Sequence, residues 1–264
     1  MERDVEVVRS RANAALKRVG AVLAGKRPEE VVLEGERLVR DALAADHRLS
    51  LLLISEERAA EVAQWSSMEG VGEVRVVQTG LLEGISDLAT SPGILAIVPR
   101  PRAVDPAELV HGPSALVLVV CGVADPGNLG ALARSAEAAG ASALAVVSGG
   151  ARPFTSRALR GSMGSLLRLP VIETADPDAL AAVFEDRGLR QVAAAARGGE
   201  AHDEADWSGP LALWVAGETG ALPAVASAFE AVTIRTADAV ESLNVAVAAS
   251  ILLFAAGRNR KNAP

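Results

Sequence analysis

The stretch Ala115-Leu116-Val117-Leu118-Val119-Val120-Cys121-Gly122-Val123 is followed by Asp125-Pro126-Gly127-Asn128-Leu129-Gly130 and then by Ala131-Leu132-Ala133-Arg134-Ser135. The first part is an almost unbroken β-branched and aliphatic run, the pattern of a strand buried on both faces of a parallel sheet. A glycine-bearing loop follows. A helix is then expected over residues 129–139, stopping at Gly140, a residue suited to the left-handed position that closes helices. Strand, loop and helix in this order form one unit of an α/β fold.

The alternation continues in both directions. Downstream, strands are expected at 144–148, from 171, and at 191–196, 211–216 and 232–234; helices are expected over 156–167, 177–187 and 242–256. Upstream, the pattern predicts helices over 5–24, 36–45, 56–65 and 81–88, with strands at 31–33, 49–54, 74–77 and 93–98. Between the halves, residues 99–113 hold four prolines in fifteen positions, which reads as a linker. The predicted organisation is a small α/β domain over 1–100, a Pro-rich linker over 101–113 and a parallel-sheet domain over 114–264.

Composition narrows the function. Half of the 264 residues are apolar, enough for a proper core, while aromatics are 3% and tyrosine is absent. A single-strand binding platform of stacked aromatics is therefore not expected. The lone Cys121 and the scattered His47, His111 and His202 offer no metal-ligand spacing. The opening Met1-Glu2-Arg3-Asp4 is charged rather than apolar, and the longest apolar stretch, 243–256, is shorter than the roughly 20 residues that cross a bilayer. A soluble, cytoplasmic protein without a metal is expected. The net charge of −7 opposes non-specific nucleic-acid binding. Yet residues 151–170 carry Arg152, Arg157, Arg160 and Arg168 and no acid. Arginine offers a planar fork suited to phosphate, so Arg157, Arg160 and Arg168 are candidate RNA contacts; each also reads as an ordinary solvated charge.

Three loops follow predicted strand ends, where ligands bind in open α/β sheets. The first, 125–130, is neither G-x-G-x-x-G nor a P-loop. Its Asn128 suits a helix cap as well as a site, and Arg134 stands six residues further along. The second is Ala216-Gly217-Glu218-Thr219-Gly220, small residues around one carboxylate. The third leads from Ile234-Arg235-Thr236 to Glu241-Ser242-Leu243-Asn244-Val245-Ala246-Val247-Ala248, with Ser242 expected to cap the last helix and Asn244 an amide at an apolar helix start.

Taken together, these loops resemble the three motifs of the SpoU/TrmH family of SPOUT RNA methyltransferases. The first matches in Asn128 and Arg134 on a helix ending Ala138-Ala139-Gly140, the second in Gly217-Glu218, and the third in Ser242-Leu243-Asn244-Val245-Ala246-Val247-Ala248. Residues 157–171 resemble a connecting segment of the family. Glu34-Gly35-Glu36-Arg37-Leu38-Val39 and Thr90-Ser91-Pro92-Gly93-Ile94-Leu95-Ala96 resemble its small ribosomal-protein-like substrate domain. Ala216 stands where the family has glycine, Ala246 where it has a second serine, and Arg235-Thr236 where it has Pro-Met.

The resemblance implies an α/β SPOUT domain with a deep trefoil knot, behind a small RNA-binding domain. It implies S-adenosyl-L-methionine as cofactor, held by backbone around Ala195, Ala216, Gly217, Ile234 and Leu243. Asn128, Arg134, Glu218, Ser242 and Asn244 would form the catalytic and RNA-facing set, and the final helix would pair two copies into a homodimer. The implied reaction is methylation of a ribose 2′-hydroxyl in structured RNA, by family analogy 23S ribosomal rather than transfer RNA. Two other readings stand beside it. A dinucleotide oxidoreductase is disfavoured by the missing G-x-G-x-x-G. A non-catalytic RNA-binding module on the same scaffold is compatible with the changes at 216, 235 and 246.

Overall fold

The computed structural model describes residues 6–86, 88, 90–109, 112–217, 221–237 and 239–260. In chain order its elements begin β1 (Val7–Val8), α1 (Ala14–Leu23), β2 (Glu30–Glu34), α2 (Glu36–Ala44), β3 (Leu49–Ser55), a 3-10 turn (Glu56–Glu61), α3 (Val62–Ser66), β4 (Val71–Val77), α4 (Thr79–Glu83) and β5 (Ile94–Pro99). They continue α5 (Pro106–Leu109), β6 (Leu116–Cys121), α6 (Pro126–Ala139), β7 (Ala143–Val147), α7 (Ser156–Ser162), α8 (Ser165–Arg168), β8 (Val171–Thr174), α9 (Pro177–Asp186), β9 (Arg190–Ala195), β10 (Glu200–Ala201), β11 (Leu211–Ala216), a 3-10 turn (Ala224–Ala228), β12 (Glu230–Thr233) and α10 (Val245–Arg260). The chain divides into two compact units, one of residues up to 101 together with 154–167, the other of 102–153 and 168 onward.

The first unit holds a mixed sheet in the order β1-β4-β3-β5-β2. β1, β4 and β3 run parallel, while β5 runs antiparallel to both β3 and β2. Val7 and Val8 pair with Val76 and Val77 as an edge strand, so the helix expected over 5–24 starts only at Ala14. Asn13 sets that start, because its side chain accepts from Ala15 N at 2.9 Å. The helix expected over 56–65 opens instead as a 3-10 turn. The two N-terminal stretches quoted above meet: Gly35 N donates to Ile94 O at 3.1 Å. Arg58 bridges them through Glu36 and Pro92 O, and its guanidinium holds the Glu36 carboxyl below the usual carboxylate range.

Residues 154–167 lie in sequence between β7 and β8 yet belong to this first unit, where α7 packs on β2. The single helix expected over 156–167 is broken at Met163 (φ 49°) and Gly164 (φ 84°), two left-handed residues in succession. Residues 102–109 likewise do more than link. They belong to the second unit, Val104 N donates to Val171 O at 3.2 Å, and α5 lies against α9.

The second unit is a seven-stranded, all-parallel sheet in the order β10-β12-β9-β11-β6-β7-β8. Every residue of β6 is buried, as its apolar run implies. Successive side chains of a strand face opposite ways. Val117, Val119 and Cys121 accordingly join Phe184, Trp214 and Ile172 in the core on the α9 side, while α6 and α10 pack against β6 from the other. Gly257 lets those two helices close, since a Cβ there would stand 2.6 Å from Ala139 O. No helix among the described residues is long and apolar enough to cross a membrane.

Candidate functional site

Parallel strands joined by helices present their C-terminal ends on one edge, and a ligand site forms where those loops part. In the second unit the ends of β9 and β11, and the segment beyond β12, surround a cavity of about 420 Å³. Ala195, Ala216, Gly217, Ile234 and Leu243 all line it, with Ser242 beside them. Leu222, Val232, Val245 and Leu252 complete an apolar wall, and Thr236 adds a hydroxyl. The size and lining suit a nucleoside-sized ligand.

Small residues at the strand ends are what keep this space open. Gly217 has a further reason to be glycine: a Cβ there would stand 2.6 Å from Gly122 O and 2.8 Å from the Val123 Cα. The loops after β6 and β11 thus touch backbone to backbone, and Gly217 N donates to Cys121 O at 3.0 Å. Cys121 itself is buried, which pushes its thiol up to about 12 and leaves it inert as a nucleophile.

The polar candidates sort themselves by capping geometry. Asp125 caps α6, its carboxylate accepting from Asn128 N at 3.0 Å, with Pro126 in the first turn. Asn128 is therefore not the cap that its position in the loop suggests, and its side-chain oxygen accepts instead from Asn244 Nδ2 at 3.4 Å. At the last helix the expectation of a Ser242 cap is corrected. α10 begins at Val245, and Asn244 caps it by accepting from Ala246 N at 2.9 Å and Val247 N at 3.3 Å. The first and third loops thus meet through two amides, 116 residues apart in sequence.

Arg134 is exposed on α6 and is not part of the cavity wall. Six residues at 3.6 per turn set it about 120° round the helix from Asn128 rather than on the same face. Glu218 lies outside the described residues. The arginine-rich segment changes meaning. Arg160 turns inward to Glu34, at 2.8 Å, with the Glu34 side chain 2% and the Arg160 side chain 22% exposed. Arg168 holds Glu137 through two hydrogen bonds of 2.7 and 2.8 Å. Both guanidiniums thus stand in ion pairs within the chain. Arg157 remains exposed.

Two of the departures find a place. Ala246 is buried in the first turn of α10. Arg235 pairs with Glu204 at 2.7 Å, which raises the guanidinium pKa further above its ordinary value, and lies 3.9 Å from Asp203. Sequence reasoning had no means to find these partners, more than thirty residues away. Among the described residues no group of three or more His, Cys, Asp or Glu could hold a metal ion.

The chain is similar over nearly all of its length to known proteins. A protein of Mycobacterium sp. (strain KMS), named as an uncharacterized tRNA/rRNA methyltransferase, is 28% identical, with 96% of this chain and 84% of that protein covered. The AdoMet-bound rRNA methyltransferase of Sinorhizobium meliloti superposes with a TM-score of 0.84 at 27% identity, covering 97% of this chain and 98% of that one. An RNA 2′-O ribose methyltransferase superposes with a TM-score of 0.82 at 29% identity, covering 97% and 100%. Residues 115–254, which hold the cavity, the Asn128–Asn244 contact and Arg134, match the model of the SpoU rRNA methylase family, and the chain belongs to that family.

Proposed function

We propose that this protein transfers a methyl group from S-adenosyl-L-methionine to a ribose 2′-hydroxyl of structured RNA, with ribosomal RNA as substrate. The observation that carries the reading is the convergence of β9, β11 and residues 234–243 on one small-residue cavity whose Leu243 wall runs directly into Asn244. Likeness to an AdoMet-bound rRNA methyltransferase supports both cofactor and substrate class, and likeness to a 2′-O ribose methyltransferase supports the position modified. The deep knot implied by the family resemblance belongs to the same proposal.

The cofactor, when bound, supplies an electrophilic methyl on its sulfonium. Ala195, Ala216, Gly217, Ile234 and Leu243 would hold the cofactor, the small residues letting main chain come close to it and the two larger ones supplying apolar contact. Asn244 is oriented by the two backbone N–H groups it caps, and it in turn orients Asn128. Rigid amides of this kind hold a reacting hydroxyl in line better than mobile side chains do. Arg134 offers a guanidinium, a cationic hydrogen-bond donor rather than a proton acceptor. Its role is to hold a substrate phosphate and to stabilise the charge growing on the 2′-oxygen. Glu218 and Arg157 complete the RNA-facing set in this proposal. Two copies associate through α10, where Val247 (50% exposed), Ile251 and Phe254 leave an apolar stripe at helical spacing.

The direct test is incubation with labelled S-adenosyl-L-methionine and either ribosomal or transfer RNA, followed by mapping of the label. Label on a ribose 2′-oxygen of ribosomal RNA is expected. Label on a base, or on transfer RNA alone, contradicts the proposal; cofactor-free binding of RNA would instead favour a non-catalytic module.

A further inference from the structure

One wall of the cavity is attached differently from the others. Ala195 and Ala216 end strands whose ladders continue to them. Beyond Thr233 the β12 ladder stops, yet Ile234 and Thr236 still line the cavity. Between these two stands Arg235, bound to Glu204 at 2.7 Å and 3.9 Å from Asp203. The carboxylates lie on an excursion that leaves the cavity wall at Ala196 and returns along β12. β10 pairs with Val232 and Thr233, His202 N donates to Thr233 O at 2.9 Å, and Thr233 Oγ1 donates to Ala196 O at 3.3 Å. Gly199 permits the close approach, because a Cβ there would run into Ala231. The excursion is thus fixed to β12 by main chain, and Arg235 ties the wall segment past β12 back to it.

We infer that Arg235, with Glu204 and Asp203, is an electrostatic latch on the cofactor cavity: a positioning residue that acts through Ile234 and Thr236 and makes cofactor affinity depend on ionic strength. The inference rests on the cofactor reading given above. All three side chains are about 60% exposed, so the effect is that of an exposed ion pair, up to about fivefold in affinity, and is screened by salt. A neutral residue at 235 leaves the wall free to move without changing any group that touches the ligand.

The test is calorimetric titration of S-adenosyl-L-methionine into the wild type, Arg235→Ala and Arg235→Lys at about 0.01 M and about 1 M salt, where screening lengths are about 30 and 3 Å. Wild-type affinity is expected to fall up to about fivefold with salt. Arg235→Ala should be weak and indifferent to salt, and Arg235→Lys should restore the dependence. Wild-type binding that matches Arg235→Ala at both salts overturns the latch. No binding by any of the proteins overturns the cofactor reading instead. Amide hydrogen exchange on the unliganded proteins tests the latch without cofactor: residues 234–237, past the end of the β12 ladder, should exchange faster in Arg235→Ala, and equal exchange contradicts it.

Discussion

Two stretches look equally functional in the sequence and come to opposite ends in the structure. The small-residue loops after β9 and β11 converge with residues 234–243 on a single cavity. The arginine-rich stretch, by contrast, turns much of its charge toward the protein: Arg160 onto Glu34 and Arg168 onto Glu137. The difference is one of what fixes position. A loop at the end of a parallel strand has its place set by the sheet, so its composition reports on a site. A charged side chain is long, and its partner is whichever opposite charge the fold brings within reach.

This contrast can be broken or sharpened by substitution. The largest effect is expected at Arg160. Arg160→Met leaves Glu34 a buried carboxylate that keeps the Ser86 hydroxyl but has lost its cation, at a cost of about 3 kcal/mol. Adding Glu34→Gln should recover most of it, and RNA affinity should be unchanged in both variants. Thermal unfolding and RNA titration check the two halves; lost RNA affinity with unchanged stability would return Arg160 to the RNA surface. Next is Gly217→Ala. The added methyl meets the Gly122 carbonyl, so the two loops must part at about 1–3 kcal/mol. Cofactor affinity should fall about tenfold, and unaltered calorimetry would show that the backbone contact does not shape the cavity. The smallest stability effect is at Asn244. Asn244→Ala loses the α10 cap, about 1 kcal/mol. Asn244→Asp keeps the cap and should unfold like the wild type, yet lose methyl transfer because the amide donor to Asn128 is gone. Full activity in the aspartate variant would reduce Asn244 to a cap.

Much of the second unit was legible because its strands are buried on both faces. The unbroken apolar runs of β6 and β11 have no other stable use. The third loop was legible as a helix start, but not which residue caps it: Ser242 and Asn244 are both good caps, and only the backbone shows that α10 begins at Val245. The Asn128–Asn244 contact and the Arg235–Glu204 pair join residues far apart in sequence, and no periodicity encodes such pairings. The placement of 154–167 was hidden for another reason. Its apolar residues Phe154, Leu159 and Leu166 show that the segment is buried, but not in which unit.

The central claim is that cofactor cavity and methyl transfer are separable functions of neighbouring residues, and Arg134→Ala tests it most directly. Arg134 is exposed and outside the cavity wall. The variant should bind S-adenosyl-L-methionine as tightly as the wild type by calorimetry, while transfer of label to ribosomal RNA falls by about 10²-fold or more, the scale of losing one charge-stabilising donor. Undiminished transfer, or a loss of cofactor binding that accounts for the lost transfer, would contradict the account.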